Sequence, residues 1–343
     1  MKRQNMLSQM CWVVFVLFLM AGWGQTTYSE ESAKFVSIPL GVTGGLREDN
    51  ISSYLLAPKG STDFIALDAG TLFAGLRQAR ILESFEEIEL PPDSELMLEG
   101  VMMQQYIKAY LISHAHIDHV AGLVLNSPDD GKKDILGIAS TIDNIRDHLF
   151  NWKVWPNFGD EGEGFQLKKY HYVRLTPGET VPINGTSMKV TPFLLSHSNY
   201  TSSAFLIEAD GAYMLYFGDT GPDEVEKSDY MQQVWTYVAP LVRHQQLKGI
   251  FLEVSYPDER ADNQLFGHLT PKWMLKELSV LANLVDSQHP ETALRGLKVV
   301  VTHIKPSFVR DLPVDEKVLK QLYELNTLNV HFIIPEQGER LEF

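Results

Sequence analysis

Residues 114–119 read His-Ala-His-Ile-Asp-His, directly after the run Tyr110-Leu111-Ile112-Ser113 and before Val120-Ala121-Gly122-Leu123. The chain has 11 histidines in 343 residues, so three of them within six positions, beside an aspartate, form a concentrated ligand set. Neutral imidazole and carboxylate are the donors that suit zinc or a similar divalent ion. An apolar strand ending here would deliver all four side chains to one turn. Whatever fold the chain adopts has to hold this loop at a strand end.

The remaining sequence supplies the scaffold. A hydrophobic content of 44% supports a sizeable core, and the length suits one large domain or two small ones. Strands are expected at 35–40, 53–57, 64–67, 109–112, 187–194, 204–208, 213–217, 249–253, 298–302 and 330–334. Helices are expected at 72–85, 96–107, 120–126, 142–150, 223–248, 271–286 and 315–325. Strands mixed with helices over the whole length imply sheets covered by helices, one α/β unit over 25–343. Residues 157–164, rich in Gly and acid, read as a surface loop, and Trp152 and Trp155 beside it fit core packing better than the rim of a pocket.

Residues 1–24 have the three parts of a secretory signal peptide: Lys2 and Arg3, an apolar run over 11–20, and Gly22 and Gly24 ahead of a cleavage point. The run stops short of the ~20 residues a membrane span needs. An exported, periplasmic or secreted protein is expected, free of the membrane after cleavage. Cys11, the sole cysteine, lies inside that segment, so the mature chain would have no disulfide. The formal charge of −15 becomes about −17 once Lys2 and Arg3 are removed. Such a surface is a poor partner for nucleic acid, whose binding depends on many Lys and Arg contacts to phosphate.

Three further candidates each close an apolar run: His197, Asp219 and His303. With His114, His116, Asp118 and His119 they make seven potential ligands, enough for two metals with room for water. The chain here resembles the metallo-β-lactamase superfamily, whose His-x-His-x-Asp-His motif it matches without departure. The resemblance implies a four-layer αββα sandwich with metals at one edge, between the sheets. It also implies that His114, His116 and His197 hold one metal, that Asp118, His119 and His303 hold the other, and that Asp219 bridges them. Asp68 matches the superfamily's first motif, a strand-end acid that braces the ligand loop, and also fits a turn ahead of the helix at 72. His and Asp donors without a thiolate suit zinc, with iron and manganese open.

The chain further resembles the class II cyclic-nucleotide phosphodiesterases over nearly all of its mature length. The resemblance rests on Gly44-Gly45-Leu46, Leu67 to Thr71, Ile112 to Leu123, Trp155-Pro156-Asn157, Phe217 to Gly221, Glu253 to Tyr256, Phe266 to Pro271 and Val301 to Pro306. Ile117 stands where this family often has Leu. Hydrolysis of 3′,5′-cyclic nucleotides, cAMP or cGMP, to 5′-monophosphates is the activity this implies. Two close cations lower the pKa of the water they share toward ~7, which provides a nucleophile. His268 is the candidate proton donor, oriented by Glu253, and Asp118 completes the catalytic set. The plainer readings make His268 a cap of the helix at 271 and Glu253 a buried, paired acid. Lys305 fits either a phosphate contact or a solvated loop. A tRNA 3′-processing nuclease, a lactone or thioester hydrolase and a non-catalytic metal-binding protein are the competing functions.

Overall fold

Alternation within the apolar runs sorts their side chains onto two faces, and both faces are buried. The computed structural model describes residues 34–343 apart from 91, 311 and 312; the expected signal peptide and Cys11 lie outside them. In the first half the strands are β1 (Phe35–Gly41), β2 (Ser53–Pro58), β3 (Phe64–Leu67), β4 (Ile107–Leu111), β5 (Lys133–Ile138) and β6 (Tyr170–Leu175). The second half supplies β7 (Val181–Pro182), β8 (Lys189–His197), β9 (Tyr200–Ala209), β10 (Ala212–Phe217), β11 (Leu247–Glu253) and β12 (Lys298–Thr302). Two short strands, β13 (His331–Ile333) and β14 (Leu341–Glu342), complete the set.

They form two seven-stranded sheets, ordered β14-β1-β2-β3-β4-β5-β6 and β13-β12-β11-β10-β9-β8-β7. Phe251 of β11 and Val300 of β12 face the other sheet, where Tyr54, Leu56 and Phe205 also meet. Their neighbours Ile250, Leu252, Val299 and Val301 face the helices Tyr230–Arg243, Pro271–Val285 and Val314–Leu325. On the first sheet, Leu55 and Ala57 likewise turn to the helices Phe73–Ile81 and Ile117–Asn126. Side chains of period two therefore build three apolar layers, and the result is the expected αββα sandwich. Burial on both faces explains why these strands read as unbroken apolar runs.

Strand direction places the site. β3 runs parallel to β4, and β10, β11 and β12 are mutually parallel. β8 and β10 both pair antiparallel with β9 and so share a direction. The carboxyl ends of these strands gather at one edge, where open α/β sheets bind ligands.

Some expectations need correction. The helix expected over 223–248 is two helices, Asp223–Glu226 and Tyr230–Arg243, followed by β11. Lys227 takes a left-handed φ of 57°, and the Asp223 carboxylate accepts from the backbone N–H groups of Met231 and Gln232 at the start of the second helix. The helices expected at 96–107 and 142–150 each finish in a wider π turn, Met102–Tyr106 and Ile145–Leu149. β5 lies outside the expected strands and opens on Lys133. That lysine is buried, its Nζ 2.7 Å from Asp130 Oδ1. β6 was missed as well; it is an edge strand, covered by residues 157–164 through Arg174 to Glu161 and His171 to Asp160. Trp155 packs on the core as expected, but Trp152 is 49% exposed and does not. Among the described residues no helix is long and apolar enough to cross a membrane.

Candidate metal centre

All seven expected ligands converge. His114, His116, His197 and Asp219 bring donor atoms together in one group, and Asp118, His119 and His303 do so in a second. His116 Nδ1 lies 3.0 Å from His114 Nε2 and 3.3 Å from His197 Nε2. In the second group His303 Nε2 is 3.2 Å from Asp118 Oδ2. Asp219 stands between the groups. Its Oδ2 is 3.7 Å from His114 Nε2, 3.8 Å from His197 Nε2 and 3.3 Å from His303 Nε2, while Oδ1 is 3.3 Å from His119 Nε2.

The opposite ring nitrogens are tied to the protein. His119 Nδ1 meets Asp68 Oδ2 at 2.8 Å, His197 Nδ1 donates to Gly267 O at 2.8 Å, and His303 Nδ1 meets Ser255 Oγ at 2.9 Å. Ser113 Oγ lies 3.1 Å from His114 Nδ1. Partners of this kind fix tautomer and ring direction in metal sites, and here they leave Nε2 of all four rings toward the centre. His119 Nε2 is buried without a hydrogen-bond partner.

Three observations show that the donor set fits divalent cations. Ligands ~2.0–2.2 Å from a tetrahedral ion sit roughly 3.3–3.6 Å apart, close to the spacings above. Asp219 is a buried carboxylate whose donor atoms lie in reach of both groups, and buried negative charge requires a positive partner. Burial holds the rings of His114, His116, His197 and His303 below the usual imidazole range, His116 at about 4, which favours the neutral form that binds a cation. Burial pulls His119 the same way, but the charges of Asp219 and Asp68 outweigh it and hold that ring well above its usual value. Burial pushes Asp219 up, yet His303 and His119 hold it well below the ordinary carboxylate range. Asp118 is likewise held low against burial, chiefly by its hydrogen bond to His303.

Backbone conformation aims the ligands. Asp68 and His303 both sit in the left-handed region, φ 56° and 60°, which turns each side chain off its strand end and into the cleft. Asp68 accepts from Ser113 N at 2.7 Å, Ser113 Oγ at 2.8 Å and Tyr216 Oη at 2.6 Å. It braces the loop, as the superfamily resemblance implied. The His303 ring lies against Gly44, where a Cβ would come within 2.4 Å of it.

Beside the ligands stands a second pair. His268 Nδ1 is 2.7 Å from Glu253 Oε1, and its Nε2 makes no hydrogen bond among the described residues. Glu253 also accepts from Thr220 N and Ser255 Oγ. Burial, and then the charge of Asp219, raise Glu253 to about 7; burial lowers His268 to about 4. The acid–imidazole pair therefore exists in space as the sequence suggested. Lys305 is close enough for its charge to depress both His268 and His303.

Comparison with known proteins agrees with this architecture. The family described as cAMP phosphodiesterases class-II matches residues 32–338. The chain belongs to that family. It is 44% identical to a 3′,5′-cyclic-nucleotide phosphodiesterase of Aliivibrio fischeri, over 92% of this chain and 95% of the relative. It is 32% identical to the cAMP/cGMP-dependent 3′,5′-cAMP/cGMP phosphodiesterase A of Dictyostelium discoideum, over 90% of this chain and 81% of the relative. Unliganded yeast PDE1 superposes with a TM-score of 0.75 at 25% identity, covering 91% of this chain and all of that one. The metallo-beta-lactamase fold protein YhfI of Bacillus subtilis, 14% identical, shares the fold with a TM-score of 0.57 over 90% of this chain and 99% of its own.

Sequence reasoning passed over Ser255, Ser113, Tyr216 and Tyr200. Ser255 joins Glu253, His268 and His303 through one hydroxyl, and the Tyr200 ring packs 4.7 Å from that of His116. Ser113 and Ser255 lie inside matched stretches, so family resemblance was the available signal. Nothing local marks the two tyrosines.

Proposed function

We propose that this protein hydrolyses 3′,5′-cyclic nucleotides to nucleoside 5′-monophosphates at the His/Asp centre. The observation that carries this reading is the two ligand groups, sharing Asp219, beside a Glu253–His268 pair in a chain of this family. His114, His116 and His197 would hold one divalent cation, Asp118, His119 and His303 the other, with Asp219 reaching both. Such a pair supplies Lewis acidity toward a phosphoryl group and acidifies water.

The remaining chemistry belongs to side chains. Hydrolysis adds water across the bond between phosphorus and O3′, and the departing ribose oxygen needs a proton. Glu253 meets the His268 ring at Nδ1; a proton held on its carboxyl, raised to about 7 by burial, would pass to Nδ1 as the neutral ring gives its own Nε2 proton to O3′. A positioned donor of this kind contributes ~10²–10⁴-fold. Lys305 adds a positive charge for the phosphate. Zinc suits the thiolate-free donors, and the signal-like segment 1–24 supports work outside the cytoplasm.

Purified protein incubated with cAMP is expected to release 5′-AMP, and a chelator to stop it. Release of 3′-AMP, or full activity in chelator, would overturn the mechanism. Fractionation that finds the mature chain only in the cytoplasm would overturn the proposed location.

A further inference from the structure

Phe266 is held in a conformation that its own chemistry does not favour. Its φ is +53°, a region that bulky residues avoid because Cβ crowds the backbone, and the residue is 60% exposed. The loop has little freedom to relax. Gly267 accepts the His197 Nδ1 hydrogen bond, and a Cβ at Gly267 would lie 2.4 Å from Ser198 N. Shifting Phe266 would therefore move a candidate ligand.

The ring is also backed from within. The Arg260 guanidinium lies 5.6 Å from its centroid and 4.6 Å from that of Tyr256, and Arg260 Nε donates to Gln264 O at 2.8 Å. Tyr256 meets the His268 ring edge-on at 5.8 Å. A chain of contacts thus joins Phe266 to the proton-donor candidate and leaves much of its surface to solvent. Strain kept at such a position points to function.

We infer that Phe266 is the platform on which the purine of the substrate stacks while the cyclic phosphate occupies the His/Asp centre. The inference rests on the cyclic-nucleotide reading above and names the residue that binds the base. Stacking uses the π-face that every base presents, so one ring serves adenine and guanine alike.

The test compares steady-state kinetics of the full-length protein with F266N and F266W, using cAMP, cGMP and the base-free 3′,5′-cyclic phosphate of methyl riboside. Asn adopts the left-handed backbone readily, so F266N removes the ring while easing the strain. F266N is expected to be at least as heat-stable as wild type. Its KM for both nucleotides should rise roughly 5- to 100-fold, with kcat and metal content little changed and the base-free substrate unaffected. F266W should restore KM. F165N, altering another exposed ring on a different loop, should change nothing. Unaltered nucleotide KM in F266N, or an equal rise with the base-free substrate, overturns the platform. So does a change in oligomeric state without a change in KM, which would make Phe266 a contact between copies. Wild-type protein inactive on both nucleotides would instead sink the activity itself.

Discussion

Asp68→Asn keeps the size and the backbone preference of the side chain and changes only its hydrogen-bonding chemistry. Oδ1 accepts from Ser113 N, and Oδ2 accepts from Ser113 Oγ, Tyr216 Oη and His119 Nδ1, all within 2.8 Å. An amide offers one accepting oxygen and one donating nitrogen. If the nitrogen replaces Oδ2, its hydrogens confront His119 Nδ1–H. The two hydroxyls can rotate away, but the imidazole can respond only by moving its proton to Nε2, which removes the lone pair needed at the centre. If the nitrogen replaces Oδ1, the backbone N–H of Ser113 is stranded in a fully buried site. Either orientation leaves a buried donor unmatched, at about 1–3 kcal/mol. Loss of such an orienting partner also weakens metal binding roughly 10- to 100-fold. Urea unfolding of chelated protein measures the first effect, and a zinc titration of the apo-protein measures the second. A D68N protein that unfolds at the wild-type urea concentration and binds both cations as tightly would refute the argument.

Three further outcomes are expected. His268→Ala should keep the metal content and lose ~10²–10⁴-fold in turnover; because His268 also lies within ligand reach of Asp219 and His303, loss of a cation, measured by elemental analysis, would make it a ligand and not a donor. Gly44→Ala drives a Cβ to 2.4–2.8 Å from three atoms of the buried His303 ring, so overpacking should cost about 1–3 kcal/mol, seen as a lower melting temperature; wild-type melting would contradict the packing. The hydrogen bond that His171 Nδ1 donates to the Asp160 carboxylate raises the pKa of exposed His171. Its folded-state value exceeds the unfolded one, so the pair's stabilisation is complete below about pH 6.5 and fades as pH rises through the raised value. An NMR titration of His171 should move down toward 6.5 in D160N, and no movement would dismiss the pairing.

Much of the scaffold was legible because strands buried on both faces leave uninterrupted apolar runs; 64–67 and 298–302 match their strands to the residue. Misreadings arose where a distant contact reversed a local preference. Lys133 enters a strand because Asp130 and the carbonyl of Met103 satisfy its ammonium. The helix expected over 223–248 breaks at Lys227, and the Asp223 carboxylate starts the next one. Ser255 and Tyr216 act across 48 and 148 residues of chain, a separation no pattern in a short window can register.

By itself the sequence determined which donors are available, since the identity of an imidazole or carboxylate and its place at the end of an apolar run are local properties. Only the tertiary structure decided which nitrogen of each ring faces the centre and that Asp219 lies between the two groups. Both depend on hydrogen bonds and distances that come into being when two sheets close on each other.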